Sequence, residues 1–478
     1  MLDKQLEIWA TERPEGIALR SVARDWSWRE YADDVAHFAA YLKSADIRRL
    51  ALALDNGPEW AIADLACLKN GTVCIPVPPF FSVQQQQWLL DTSGADAILG
   101  GTPRRGWQQD ESMLGMLQRR HLSHPPELPA GTAKITYTSG TTNHPKGVCL
   151  SVAGMSWNAE TLSGLMQSLD LQRHMVTLPL STLLENICGI YVPLILGVES
   201  VILPSSDIGF GASGQFNPDA LGKALTTWQP HSVVLVPELL RVLFMFHQTH
   251  PASTASLHFV AVGGGKVSPS LLSTAHARGL PVYEGYGLSE CGSVVSLNLP
   301  GANHIGSAGK PLPGIHVHID SQGELQVVSP GNAIGYLGER PFPTPYATGD
   351  LGQIDDEGYI QITGRRRNVQ ITAFGRNFSP EWVEAEAMAC PAVRRLVIFG
   401  EGLAKNVALV DAFPGMEQAA REQLKALSDR LPDYAKPHHL LFTSMISGPK
   451  ALTANGRIRR DDIWHMMQQY IICLNQEA

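Results

Sequence analysis

Between apolar Ile135 and Val148 the chain reads Tyr137-Thr138-Ser139-Gly140-Thr141-Thr142-Asn143-His144-Pro145-Lys146-Gly147. Glycine lets backbone N–H groups come close to a ligand, hydroxyls donate hydrogen bonds and lysine brings positive charge. A loop of this composition can wrap an anion. It is not a Walker A loop, which follows Gly-Lys with Ser or Thr; here the order is Lys146-Gly147-Val148. By composition alone it also reads as a polar surface loop.

Further along stand Val262-Gly-Gly-Gly-Lys266 and Tyr283-Glu-Gly-Tyr-Gly-Leu-Ser-Glu290, each expected to follow a strand. Ligands of open α/β sheets sit at the carboxyl ends of strands, so both are well placed. A tyrosine face can stack on a purine, and the carboxylate of Glu290 is a hard ligand suited to magnesium. Taken singly, the glycine run equally reads as a turn and Glu290 as a helix-start carboxylate. Tyr346-Ala-Thr-Gly-Asp350 sets a carboxylate after an expected tight turn, a common way to hold ribose hydroxyls. Gly364-Arg-Arg-Arg-Asn368 adds cations, although such a triplet is usually a solvated basic patch.

These groups need a scaffold. At 478 residues the chain exceeds one ordinary core, so two or more domains are expected. A hydrophobic share of 44% and a charged share of 17% are those of a globular protein soluble in water. The net charge of −8 argues against general nucleic-acid binding. The N-terminus lacks the basic-then-apolar order of a signal peptide, and no run of about 18 apolar residues suggests a membrane span. Seven scattered cysteines without a CxxC pair suit a reducing cytoplasm and read as core fillers. The pairs His316/His318 and His438/His439 come with no third ligand in view, so no metal cluster is expected.

Apolar spacing predicts helices at Glu7 to Ala10, Trp28 to Leu42 and Trp60 to Leu68, with strands at Leu50 to Leu54 and from Val73 to Pro79. Strands are again expected at Val176 to Leu180, Ser200 to Leu203, Ser232 to Val236 and Phe259 to Val262, with helical segments between them. Such alternation indicates helix-covered, mostly parallel sheets. From about Ile315 the texture turns to short alternating strands, His316 to Ile319 and Glu324 to Val328. A boundary is expected near Gly364 to Asn368, followed by helices at Pro380 to Met388 and Met416 to Arg430 and a strand at Leu396 to Phe399.

The order and spacing of these groups resemble the acyl-adenylate-forming (AMP-binding) superfamily, together with Asn56-Gly-Pro-Glu59, Gly309 to Gly314, Gly335-Tyr336 and Thr348-Gly-Asp-Leu-Gly352. The resemblance covers nearly the whole chain. It implies an α/β fold with a large N-terminal domain, residues 1–367, that includes a β-rich subdomain from about 305. A small mobile α+β C-terminal domain, residues 368–478, would complete it. It further implies that Thr138, Ser139, Gly140, Thr141, Thr142 and Lys146 cradle the phosphates of ATP. Gly264, Gly265 and Tyr286 would contact adenine, with Gly287 in the same nucleotide-binding set. Ser289 would meet the α-phosphate, Glu290 the Mg2+, and Asp350 with Arg365 the ribose. Lys146 and Glu290 are thereby implied in catalysis.

Two departures stand out. Asn368 occupies the place of the family's hinge aspartate. Arg457, after Thr453-Ala-Asn-Gly456, stands where the family carries its catalytic lysine. Arginine keeps the charge but is a planar fork, not a compact ammonium; Lys450 is the fallback cation. The implied activity is that of an acid–thiol ligase. ATP activates a carboxylic acid to acyl-AMP with release of pyrophosphate, and a thiol of CoA or of an acyl carrier protein's phosphopantetheine then accepts the acyl group. Leu178-Pro-Leu-Ser-Thr-Leu-Leu-Glu185 and Gly375 to Pro380 look closest to long-chain acyl-CoA synthetases, so a fatty or other apolar acid is expected. The alternatives are an aryl- or amino-acid-adenylating ligase, or a degenerate protein that binds nucleotide with weak adenylation.

Overall fold

The computed structural model describes residues 2–138, 144–211, 216–448, 450–453 and 456–476. Local signals set many of its elements. Ser27 caps the helix Trp28–Ser44 by accepting from Glu30 N, and the Glu30 carboxylate reaches back to Ser27 N, a capping box. The helix Pro58–Asn70 starts on a proline whose missing N–H costs nothing there, and it ends at Gly71 with φ 74°.

A nine-stranded sheet forms one layer. Its parallel centre runs, in spatial order, Val282–Leu288, Phe259–Val262, Ser232–Leu235, Arg173–Met175, Glu199–Val201 and Ile17–Arg20. An eight-stranded sheet forms a second layer. There Lys134–Thr138, Val73–Pro76, Arg49–Ala53 and Ala97–Gly100 pair in parallel, and antiparallel strands flank them on both sides. Four antiparallel strands, His316–Ile319, Glu324–Val328, Tyr346–Ile354 and Ile360–Arg365, make the β-rich part.

Beyond residue 377 a three-stranded sheet of Val393–Phe399, Val407–Ala412 and His439–Phe442 separates two cores. Leu396, Ile398, Ala408 and Val410 face one of them with Val383 and Leu424. Val397, Phe399, Val407 and Leu409 face the other with Ile463 and Met467. Successive side chains point to opposite sides of a strand, so one sheet serves two cores. The chain is thus an α/β protein with large sheets ahead of a smaller α+β unit.

One expected strand stops early. Val176 to Leu180 is expected as a strand, but the strand is Arg173–Met175, and beyond it Val176 N donates once more to Val201 O at 3.0 Å before the ladder stops. Pro179 has no N–H for a ladder, and the neighbouring polar groups are taken by one side chain. Asn56 Nδ2 donates to Leu178 O at 2.9 Å, and Leu180 N donates to Asn56 Oδ1 at 2.8 Å. Of the seven cysteines, six are buried, Cys473 is exposed, and none is in a disulfide. No described helix is long and apolar enough to cross a membrane.

Between the layers lies a buried ion pair. Lys134 Nζ is 2.7 Å from Asp64 Oδ1, with the side chains 1% and 0% exposed. Lys134 also donates to Tyr191 Oη at 2.9 Å and to Asn186 Oδ1, while Tyr191 Oη and Asn186 Nδ2 donate to Asp64 Oδ2 at 2.6 and 3.0 Å. Removing one partner of such a pair strands the other charge in a low dielectric. Lys134→Met should cost about 3–5 kcal/mol in denaturant unfolding, whereas Lys134→Met combined with Asp64→Leu should recover most of it. Equal losses in the single and double variants would show that the charges do not act as a pair.

Candidate functional site

A cavity of about 2460 Å³ opens where the parallel strands of the nine-stranded sheet end, the position such sheets reserve for ligands. Gly263 to Gly265 follow the strand Phe259–Val262 and form part of its rim. Gly264 has φ 78°, a conformation L side chains rarely adopt. The segment Tyr283 to Glu290 is expected to follow a strand, but most of it lies within the strand Val282–Leu288. The reason is an antiparallel partner, Ser293–Leu297, which pairs with residues 285–288. That partner passes so close that a Cβ on Gly287 would sit 1.8 Å from Ser293 O. Ser293 itself has φ 108° and an unpartnered hydroxyl among the described residues, at the edge of the cavity.

Strand Lys134–Thr138 and strand Lys146–Leu150 carry the hydroxyl-rich segment to the same opening. The helix Val83–Ser93 braces its two ends. Tyr137 Oη donates to Leu89 O at 3.2 Å, and Trp88 Nε1 donates to Pro145 O at 3.2 Å while its ring stacks on His144 at 4.2 Å. Ser139, Gly140, Thr141 and Thr142 lie outside the described residues. Lys146 Nζ is 2.9 Å from Glu339 Oε1 and 4.4 Å from the centre of the Tyr336 ring. Both partners of that ion pair are about half exposed, 44% and 52%.

Glu290 lies in a short 3₁₀ turn, Ser289–Cys291, and accepts from Tyr336 Oη at 2.8 Å. Burial, and then the Glu290 charge, hold the Tyr336 hydroxyl far above its ordinary value, so it stays a donor. Tyr346 beside it is pushed up to about 12, chiefly by burial. Asp350 was expected after a tight turn; it lies inside the strand Tyr346–Ile354. It sits directly opposite Arg365 because Tyr346–Ile354 and Ile360–Arg365 pair in register there. Asp350 Oδ1 is 2.9 Å from Arg365 Nε, and Oδ2 accepts from Tyr286 Oη at 2.7 Å. Burial raises the Asp350 carboxyl, and Arg365 opposes the shift.

The basic triplet does not form one solvated patch. Arg365 pairs with Asp350, Arg366 donates to Glu324 Oε2 at 2.8 Å, and Arg367 borders the cavity. Arg457 joins them from the other end of the chain. Leu452 and Ile458 form an antiparallel bridge, and Thr453 closes the turn, donating from its N to Arg457 O at 2.7 Å and accepting at Oγ1 from Arg457 N at 2.9 Å. The turn delivers Arg457 to the cavity wall, where solvent still reaches its side chain. The crowding protein, then Arg365, lower its pKa, and Glu290 and Asp350 oppose them. Lys450 is exposed and is not part of the cavity wall.

The cavity therefore brings together Thr138, Lys146, Gly264, Gly265, Tyr286, Gly287, Ser289, Glu290, Arg365 and Arg457. Asp350 stands behind Tyr286 and Arg365 without reaching the cavity wall. Asn368 lies in the 3₁₀ turn Arg366–Asn368, where its Nδ2 donates to Glu381 Oε1, away from the opening. Sequence reasoning quoted Tyr336 and Arg367 within longer segments but gave neither an individual role, although Tyr336 is the partner of Glu290. It missed Glu339, the partner of Lys146, and also Ser293 and His174. A contact 46 or 193 residues away in the chain leaves no periodic trace. Among the described residues no group of three or more His, Cys, Asp or Glu side chains could hold a metal. Glu290 is thus a single protein carboxylate, a donor that fits magnesium held mainly by phosphates and water.

The profile of one family, AMP-binding enzyme, matches residues 6–339. A feruloyl-CoA synthase of an Amycolatopsis species is 27% identical over 506 aligned residues, covering 97% of this chain and 99% of the relative. A long-chain-fatty-acid–CoA ligase of Mycobacterium bovis is 25% identical, covering 75% of this chain and 73% of the relative. Among solved structures, o-succinylbenzoate CoA synthetase of Bacillus subtilis, in complex with its acyl-adenylate intermediate, superposes with a TM-score of 0.76 at 22% identity, covering 96% of this chain and 97% of that one.

The exposed Lys146–Glu339 pair contributes little to stability, so Lys146→Ala should cost at most about 1 kcal/mol in denaturant unfolding. Loss of a charge-assisted contact should nevertheless weaken ATP binding by about tenfold or more, read by titration calorimetry. Unchanged ATP affinity would mean that the phosphates do not meet Lys146.

Proposed function

The chain belongs to the AMP-binding enzyme family, and from that premise we propose that it joins a carboxylic acid to CoA in two steps through acyl-AMP. In the first, a carboxylate oxygen of the acid attacks the α-phosphorus of ATP, the bond to the β-phosphate bridging oxygen breaks, and pyrophosphate leaves. In the second, the CoA thiol loses its proton and attacks the acyl carbon, and AMP departs with the electron pair. A carboxylate alone is a poor acyl donor because its leaving group would be oxide; adenylation makes that oxygen the bridge of a mixed acyl–phosphate anhydride, from which AMP can leave.

The observation that carries this reading is the convergence of Arg457, from the end of the chain, with Arg365, Arg367 and Glu290 around one cavity. Fixed cations aimed at developing phosphate charge usually supply the largest share of such a rate enhancement. Lys146 and Thr138 take the β- and γ-phosphates, Tyr286 and the glycines at 264 and 265 the adenine, and Asp350 with Arg365 the ribose. Ser289 meets the α-phosphate. Magnesium, when bound, neutralises phosphate charge, and Glu290 would hold it.

Residues 1–367 and 368–478 form the two domains in this reading, with Asn368 as the hinge, and the smaller domain turns between the two steps. Arg241 supports the docked arrangement by donating to Val393 O at 2.6 Å and to Cys390 O and Pro391 O at 3.0 Å. CoA is the acceptor we favour over a carrier-protein phosphopantetheine, because the relatives matched are named for CoA chemistry.

An aromatic acid takes the place of the fatty acid that the sequence suggested. The relative named for feruloyl-CoA is matched over 97% of this chain, and the long-chain relative over 75%. The lower cavity wall supports the choice, since Phe259 lies there with its ring stacked on Tyr283 at 5.0 Å. ATP–pyrophosphate exchange across aromatic, fatty and amino acids tests both statements; aromatic acids should give the fastest exchange. Exchange with fatty acids alone would reverse the assignment, and exchange with none would leave a nucleotide-binding protein.

Arg457→Ala should slow acyl-AMP formation by roughly 10²–10³-fold, the effect of losing one preorganised donor. Thioester formation from preformed acyl-AMP should change little, and Arg457→Lys should match or exceed the native adenylation rate. Single-turnover measurement of the two half-reactions decides it. Equal adenylation in all three proteins would make Arg457 a bystander.

A further inference from the structure

Below its nucleotide end the cavity descends along one face of the nine-stranded sheet, past Leu162, Val192, Val234, Phe259 and Ala261. A polar pair interrupts that apolar wall. His174 and Ser232 stand opposite each other on adjacent parallel strands, and Phe259 is abreast of Ser232 on the next. Both border the cavity, and His174 is 4% exposed. His174 Nδ1 lies 2.9 Å from Ser232 Oγ, which fixes the ring. The other ring nitrogen, Nε2, is buried with no hydrogen-bond partner among the described residues.

A buried polar atom left without a partner costs about 1–3 kcal/mol, so one that persists needs a reason. Its position supplies one. Val236 is level with Gly264, whose Cβ would lie 3.6 Å from Val236 Cγ1. Ser232 is four residues earlier on the strand, so at about 3.3 Å per residue the pair lies roughly 13 Å deeper. An acid with its carboxylate at the phosphates would place at that depth the far end of a ring and short linker. Burial alone holds the imidazole down, to about 4, so the ring is neutral at working pH and offers no cation. If Ser232 donates to Nδ1, Nε2 carries hydrogen and donates; if Nδ1 donates to Ser232, Nε2 accepts. A hydroxyl satisfies either tautomer, whereas a carboxylate suits only one.

We propose that His174, oriented by Ser232, recognises an uncharged hydroxyl at the distal end of the acid, so that the substrate class is hydroxyl-bearing aryl acids. The inference rests on the aryl-acid reading above and narrows it.

The test is kcat/KM for pyrophosphate release with two matched acids, 3-phenylpropenoic acid and its 4-hydroxy form, in the native protein, His174→Phe and Ser232→Ala. The native enzyme should prefer the hydroxylated acid by at least about tenfold, since a polar site rejects a substrate that leaves it unpaired. His174→Phe should bring that ratio to within about twofold of one, and Ser232→Ala, which frees the ring, should lower it part of the way. A thermal-unfolding scan identifies a variant that fails to fold, in which case the native ratio and the Ser232→Ala ratio decide. A native ratio near one overturns the inference while leaving the aryl-acid reading intact. A ratio that survives both substitutions also overturns it. No turnover of either acid, with turnover of fatty acids alone, overturns both.

Discussion

Everything at the phosphate end of this molecule depends on a charge pair that never meets water. Lys134 is the first residue of the strand that runs to Thr138, and its ammonium is held by Asp64 from the helix Pro58–Asn70. Tyr191 and Asn186, which lie against the other sheet, complete the coordination. The desolvation cost of two buried charges is offset only when geometry is good and the remaining donors and acceptors are met. Four side chains from three segments satisfy that condition at one point. The strand that delivers the hydroxyl-rich segment is thereby locked to both layers, so its far end has a defined place relative to the glycines of the other sheet.

That placement divides one cavity into two chemical environments. At the strand ends, Arg365, Arg367 and Arg457 crowd together against Glu290 and Asp350. Burial first, and then the charge of Arg365, lower the basicity of Arg367 and Arg457, and a polyanion relieves the repulsion. Deeper in the cavity the wall is largely apolar, interrupted by the neutral imidazole of His174 and the Ser232 hydroxyl. Apolar surface there favours an organic acid's ring by burial at about 25 cal/mol per Å² of area removed from water. A molecule with a carboxylate at one end and an apolar body at the other fits both halves.

The arginine at position 457 belongs to the smaller C-terminal unit, so its presence at the cavity depends on how that unit docks. Docking contacts include polar ones beside the packing of Ala389 on the large core and of Arg241 over the Phe413 ring at 5.4 Å. The Arg241 guanidinium takes three backbone carbonyls, and Glu386 accepts from Ser268 and Ser270 at 3.3 Å. Contacts of this sort are exchangeable with water. The apolar cores on the two sides are separate clusters, and Ala389 of the smaller unit packs against the larger one.

Residue order by itself determined the class of fold and the family resemblance, because strand, helix and glycine-turn signals are local and survive in linear order. Thr138, Lys146, Gly264, Tyr286, Glu290, Asp350 and Arg365 were legible for the same reason: each sits in a short motif with its own chemistry. Tertiary structure decided which partners those residues meet. That Glu290 is held by Tyr336, that Lys146 faces Glu339, and that Asp350 is bonded by Tyr286 and Arg365 follows from sheet register and from segments far apart in the chain. It also drew most of Tyr283 to Glu290 into a strand and kept Val176 to Leu180 out of one, since in both places a distant segment claims the backbone hydrogen bonds. His174 had no local signature at all. A histidine in the three-residue strand Arg173–Met175 carries no motif, and only the packing of three parallel strands shows one of its nitrogens bonded to Ser232 and the other left without a partner among the described residues.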